Sequence, residues 1–170
     1  MSFEVVFGKK ENVSTITEIF NHYILNSNAR FETEPFTIEN RMHWYSQFSV
    51  HTPHVLLVAK EDDKILGFCC SQPYRPSGAF VDTVEVTIYL APDATTKGIG
   101  TALYRSLFAH LKTQNVHSVL SGVAMPNDAS LALHKKFGFR EVGTFSQYAK
   151  KHDEYISSTW LQLLLSEQQG

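Results

Sequence analysis

The chain has 170 residues, 43% of them hydrophobic and 19% charged, with twelve phenylalanines, seven tyrosines and a formal net charge of −2. That length and composition fit one globular domain over 1–170 that buries its own core without disulfides or a structural metal, and they exclude a disordered chain. The near-neutral charge gives no electrostatic reason to bind the nucleic-acid backbone or an anionic membrane, so a small molecule is the expected partner.

Phe3 to Phe7 alternate like a short strand, and Gly8, Lys9 and Lys10 break it. No basic segment precedes an apolar stretch here, and nowhere do about 18 apolar residues run together as a membrane span requires, so a cytoplasmic location is expected. Thr15 and Glu18 have capping-box spacing, and Ile16, Ile19, Phe20, Tyr23 and Ile24 recur on one helical face, predicting a helix that ends near Asn26 to Asn28. After the loop Arg30 to Phe36, a second helix should begin past Thr37, carry Ile38, Met42, Tyr45 and Phe48, and stop before Pro53. Val55 to Ala59 and Ile65 to Cys70 read as a hairpin. The only cysteines, Cys69 and Cys70, would point to opposite faces of its second strand, which rules out a disulfide framework and suits a reducing compartment.

From Val84 to Leu90 the alternation is strict, with Glu85, Thr87 and Tyr89 on one side. Pro92 closes that strand, and Gly98 and Gly100 open an amphipathic helix through Leu103, Leu107 and Leu111. A strand over His117 to Ala124, a short helix over Ala129 to Lys136 with Gly138 as its C-cap, and strands near Phe139 to Tyr148 and Tyr155 to Leu165 complete the chain. The expected fold is therefore α/β: a mixed, mainly antiparallel sheet of about seven strands flanked by about four helices.

A strand, a glycine pair and a helix together aim free backbone N–H groups and the positive end of a helix dipole at one point, which suits a phosphate. Without side chains, Gly98 and Gly100 would let backbone approach a pyrophosphate, and Lys97 would add charge. The spacing is neither a P-loop nor a dinucleotide fingerprint, and by itself it fits an ordinary turn equally well.

The surrounding motifs narrow this. Val81-Asp82-Thr83-Val84-Glu85-Val86-Thr87-Ile88-Tyr89-Leu90, Gly98-Ile99-Gly100, Pro126-Asn127-Asp128-x-Ser130 and Leu133-His134-x-x-x-Gly138-Phe139 resemble the GCN5-related N-acetyltransferase superfamily, and within it the phosphinothricin (methionine sulfoximine) acetyltransferase branch. Asn21-His22-Tyr23, Phe31-Glu32-Thr33-Glu34-Pro35, Arg41 and Trp44 extend the similarity over nearly the whole chain. The resemblance implies acetyl-CoA as co-substrate, a homodimer, and a donor site made by Ile88, Tyr89 and Leu90 with Ala91 on the pantetheine. Lys97, Gly98, Ile99, Gly100 and Thr101 would take the pyrophosphate, and Asn127, Ser130 and Lys136 the distal part. Thr95 and Thr96 stand where the family has Gln and Arg, so there the backbone N–H groups must carry the phosphate contacts.

Acetyl transfer to an amine needs an uncharged amine, a polarised carbonyl and a proton for the leaving thiolate. Glu85 is the branch's catalytic carboxylate by position and is expected to act as general base, its pKa raised by partial burial; the alternative is a solvated or cross-strand-paired carboxylate. A strand-end N–H near Leu90 would polarise the carbonyl. His134, one turn after Ser130, is either the thiolate's acid or a packed helix-face histidine, and Tyr89 is read as wall. Phe31, Glu34, Arg75 and Tyr148 come from segments that line the branch's acceptor site, and Arg75 would hold an acceptor carboxylate or lie on a surface loop. The branch's Gly-x-Lys-x-Gly-x-Trp-x-Asp pattern, counted from Lys150, meets Glu154 and Ile156 in place of Trp and Asp, so acceptor identity does not carry over.

The eight histidines show no metal-ligand spacing, so no metal is expected. No nucleophile elbow is present, which favours direct transfer over a covalent acyl-enzyme. The expected activity is N-acetylation of a small amino-acid-like amine; the alternatives are a non-catalytic acetyl-CoA sensor and an acetyltransferase for protein N-termini or lysines.

Overall fold

The computed structural model describes residues 2–165. Among them, seven strands form one sheet in the order β1-β2-β3-β4-β5-β7-β6: β1 (Glu4–Phe7), β2 (Leu56–Glu61), β3 (Lys64–Pro73), β4 (Thr83–Leu90), β5 (Ser118–Ala124), β6 (Arg140–Lys151) and β7 (Glu154–Leu164). β4 with β5 is the parallel pair and every other pairing is antiparallel. Four α-helices flank the sheet, α1 (Val13–Asn26), α2 (Ile38–Tyr45), α3 (Ile99–Thr113) and α4 (Asp128–Lys136), which is the mixed α/β architecture the patterning predicts.

Both faces of β2 and β3 are covered, which explains why they read as apolar runs and not as alternation. Leu57, Ala59, Leu66 and Cys69 join Leu103, Leu107 and Leu111 of α3 in one cluster. Leu56, Val58, Phe68 and Cys70 join Ile16, Ile19 and Phe20 of α1 in the other. The adjacent cysteines thus belong to opposite cores, and both are free thiols. Each fully buried aliphatic side chain in these layers contributes roughly 1.5–3 kcal/mol, so the α3 stripe alone holds that helix firmly against the sheet.

Two helix boundaries differ from expectation. α1 begins at Val13, because a 3-10 turn over Lys10–Asn12 precedes it and the Asn12 Oδ1 accepts the Lys9 N–H at 2.8 Å. Thr15 and Glu18 therefore lie inside the helix and form no cap. α2 ends at Tyr45, where the chain leaves by a turn closed by Phe48 N–H to the Tyr45 carbonyl. Its start is as expected, with the Thr37 hydroxyl accepting the Asn40 N–H at 3.0 Å. Among the described residues no helix is long and apolar enough to cross a membrane.

Register places the site. β4 pairs with β5 only at Thr83↔Ser118, Val84↔Val119 and Glu85↔Leu120. Beyond Glu85 the two strands part, so the β5-facing backbone of Val86 to Leu90 has no strand partner and a gap opens in the sheet.

Candidate active site

A cavity of about 330 Å³ fills that gap, within the range of small-molecule sites. Val86 to Tyr89 line one wall and Ser121 to Ala124 the other, while Tyr104 and His134 reach it from the α3 side and Ala29 to Glu32 from the α1 side. Of the residues singled out in the sequence, the fold brings Glu85, Ile88, Tyr89, Asn127, Ser130, His134, Phe31 and Tyr148 to this cavity.

Glu85 sits where the strands begin to part. Removal from water raises its pKa, and the positive charge of Arg30 partly offsets the rise. A carboxylate so placed is a stronger proton acceptor than one in water. Tyr89, four residues from Glu85 on the same face, is pushed up to about 12 by burial and stays protonated. Its hydroxyl donates to the Ala29 carbonyl at 2.9 Å, which makes it wall and anchor.

His134 is only 1% exposed and both ring nitrogens are engaged. Nδ1 lies 2.6 Å from the Ser130 carbonyl and Nε2 lies 2.8 Å from the Tyr104 hydroxyl. A carbonyl can only accept, so Nδ1 carries the proton and Nε2 accepts from Tyr104. Burial lowers the His134 pKa, which keeps this ring neutral. In this tautomer the Nε2 side of His134 carries no proton and meets the Tyr104 hydroxyl, a cavity-lining group that the sequence pattern does not single out.

The acceptor wall was the least legible part. The segment 24–30 is held at three carbonyls by Lys151, whose Nζ donates to Ile24 at 2.7 Å, Ser27 at 2.8 Å and Arg30 at 2.9 Å while remaining only 2% exposed. Arg30 and Glu32 then face the cavity as an ion pair, with Nε on Oε2 at 3.0 Å. Phe31 meets Tyr148 edge to face at 5.8 Å between centroids. The buried lysine of this turn is thus Lys151 and not Lys150. Counted from Lys151, the branch's Trp and Asp positions fall on Tyr155 and Ser157. Trp160 also lines the cavity, and its buried indole N–H has no partner among the described residues. Periodicity gives no signal for Arg30, Glu32 or Lys151, since loop and turn residues carry none.

Arg75 and Glu34 do not line the cavity. Both are exposed, and the Arg75 guanidinium stacks 4.9 Å from the Tyr74 ring centroid.

The glycine pair that the sequence marks for a phosphate lies at the start of α3, outside the cavity lining. Gly98 is the N-cap, with φ of 85°, a left-handed conformation that side-chain-bearing residues rarely adopt. The space around it is open, and the first N–H groups of α3 have no intrahelical partner. Gly100 differs: a Cβ there would come 3.2 Å from Leu133, so its bareness serves helix packing against α4. Lys136 of α4 reaches this end, its Nζ donating to Thr101 at 3.1 Å. Lys97 is exposed beside it. Asn127 is the N-cap of α4, its Oδ1 accepting the Ser130 N–H at 3.1 Å. Unpaired strand backbone leading to a bare helix N-terminus flanked by lysines matches an extended chain with amide groups that ends in a pyrophosphate.

Relatives of this chain agree. A phosphinothricin N-acetyltransferase of Streptomyces coelicolor is 41% identical over 155 residues, covering 90% of this chain and 91% of that protein. An N-acetyltransferase of Streptomyces griseus is 40% identical over 158 residues, covering 90% and 81%. A solved acetyltransferase from Salmonella typhimurium, described with its cofactor acetyl-CoA, superposes with a TM-score of 0.90 at 27% identity, covering 97% of this chain and 95% of its own. Residues 16–139 match the acetyltransferase (GNAT) family, and this chain belongs to that family of acetyl-CoA-dependent N-acetyltransferases.

Proposed function

We propose that the chain acetylates the amine of a small amino-acid-like acceptor by direct transfer, with Glu85 as general base. The observation that carries this is a half-buried carboxylate at the point where β4 and β5 part, its pKa raised by desolvation, in the cavity between those strands. The acceptor class rests on the relatives, since the Streptomyces coelicolor protein is named for phosphinothricin, an amino-acid analogue.

Bound acetyl-CoA supplies the thioester whose acetyl group is transferred. The β5-facing backbone of Val86 to Tyr89, the Leu90 N–H and the first turn of α3 would hold it, with Lys97 and Lys136 adding positive charge; the Leu90 carbonyl is taken by the Tyr23 hydroxyl. Glu85 takes the proton from the acceptor ammonium, directly or through water, so that the lone pair is free to attack. A backbone N–H at the end of β4 polarises the carbonyl. The proton for the departing thiolate comes from the Tyr104 hydroxyl, which is then restored by the proton Glu85 has taken up; His134, neutral and accepting from Tyr104 at Nε2, orients that hydroxyl. The cavity of about 330 Å³ suits a small acceptor.

One domain carries the whole reaction in this reading. The chain works as a homodimer, supported by the long edge strand β6, which leaves Val142, Phe145 and Tyr148 exposed. The two buried free thiols suit a cytoplasmic setting.

The test is thiol release from acetyl-CoA against a panel of amino acids, methionine sulfoximine, phosphinothricin, polyamines and short peptides. Release with amino-acid-like acceptors supports the proposal. Acetyl-CoA binding with silence on every small amine sinks it and favours a sensor or a protein acceptor.

A further inference from the structure

Among the described residues that line the cavity, Arg30 is the sole lysine or arginine. Its side chain is 22% exposed, so one edge reaches the cavity while the rest is packed. Aromatic rings, an ion pair and two bonds to the backbone that carries it fix it. The guanidinium carbon stands 4.9 Å from the Phe20 ring centroid and 5.9 Å from that of Tyr89. Glu32 takes Nε and one terminal nitrogen. Its own carbonyl is held by the Lys151 ammonium, and the carbonyl before it by the Tyr89 hydroxyl. A side chain with so many rotatable bonds is rarely ordered this thoroughly without use, because each freedom removed costs entropy.

The guanidinium has five N–H donors, and Glu32 occupies two. The remainder include a donor pair that suits a carboxylate. Arg30 also lowers the pKa of Glu85, so its charge is felt at the proposed base. An α-amino acid carries its amine and carboxylate on one carbon, and a cavity with a proton acceptor and a fixed cation matches that pairing. The other arginines are differently employed. Arg75 is exposed beside Tyr74, and Arg41 lies over Phe36 at 3.6 Å with Nε on Asn40.

Resting on the acetyl-transfer reading above, we propose that Arg30 binds the α-carboxylate of the acceptor and makes this enzyme selective for α-amino acids over simple amines. Glu32 keeps the guanidinium aligned, and Lys151 and Tyr89 position the backbone that carries it.

The test compares methionine sulfone with 3-(methylsulfonyl)propylamine, the same acceptor lacking its carboxylate, on the alkaline plateau of each enzyme's own pH profile, so that a shift in the Glu85 titration does not enter. Wild-type enzyme should prefer the amino acid. Arg30→Gln should lower kcat/KM for the amino acid by about 30-fold, chiefly through KM, and change the amine by less than about threefold. Acetyl-CoA affinity should stay as in wild type. Arg30→Lys should restore part of the loss on the amino acid alone. An equal loss on both acceptors overturns the proposal and leaves Arg30 as a support for Glu85; so does Arg75→Gln producing the selective loss instead. If Arg30→Gln does not fold, the wild-type comparison still decides, since equal use of both acceptors overturns the proposal. Silence on both acceptors with acetyl-CoA bound would instead strike the acetyl-transfer reading itself.

Discussion

The two parts of the proposed site are built in different ways. The proposed donor end draws on Lys97 to Thr101 and on Asn127 to Lys136, two short segments that each form a turn and the start of a helix. The acceptor end draws on Arg30 and Glu32 from one loop, Glu85 from β4, Tyr148 and Lys151 from β6 and Trp160 from β7. In the proposed reading, backbone groups do the binding at the first end and side chains at the second. The first end is therefore stamped on the sequence as glycine spacing, and the second exists only once distant segments meet.

Substitutions should separate the ends, and the largest effect belongs to the base. Glu85→Gln should lower kcat by about 10²- to 10⁴-fold while acetyl-CoA affinity stays near wild type; steady-state thiol release with a separate binding isotherm checks both. Unchanged turnover at neutral pH would remove Glu85 from the mechanism. In wild type the acid limb of kcat/KM should lie above the ordinary carboxylate range, and Arg30→Gln should move it higher, because a cation that lowers the Glu85 pKa is lost.

Gly98→Val should act at the other end. A branched residue at φ of 85° costs about 1–3 kcal/mol in backbone strain, and its side chain would stand where the pyrophosphate is placed. The dissociation constant for CoA should rise by about tenfold or more, with turnover at saturating donor much less affected. Normal CoA affinity in a folded variant would displace the pyrophosphate from this turn.

Lys151→Met tests the link between β6 and the acceptor loop. Three buried carbonyls lose their donor, so the melting temperature should fall, reflecting about 2 kcal/mol. The acceptor KM should rise, while acetyl-CoA affinity holds. An acceptor KM equal to wild type would mean that the loop keeps its shape without the lysine.

The smallest effect is one of pH. Burial lowers the His134 pKa, so the unfolded chain binds the proton more readily than the folded one. Stability from this site is present above the unfolded value of about 6.5 and is lost as pH falls through the folded value. Thermal melts between about pH 7.5 and 5 should show that loss, and His134→Gln should flatten the slope. A slope unchanged by the substitution would place the titration elsewhere.

The sequence by itself determines much of this protein. Its alternation at Val84 to Leu90, its apolar runs in β2 and β3 and its helical stripes report local periodicity, and periodicity is set by backbone geometry before any tertiary contact forms. The α3 turn is legible for the same reason, since a left-handed N-cap selects glycine locally. Tertiary structure alone decided that Gly100 serves packing against Leu133, that Arg75 lies outside the cavity, and that both nitrogens of His134 are engaged. It also decided that Lys151 reaches across 121 positions to the Arg30 carbonyl. A loop arginine and a turn lysine obey no period, and a hydrogen bond between segments so far apart leaves no mark on the residues between them.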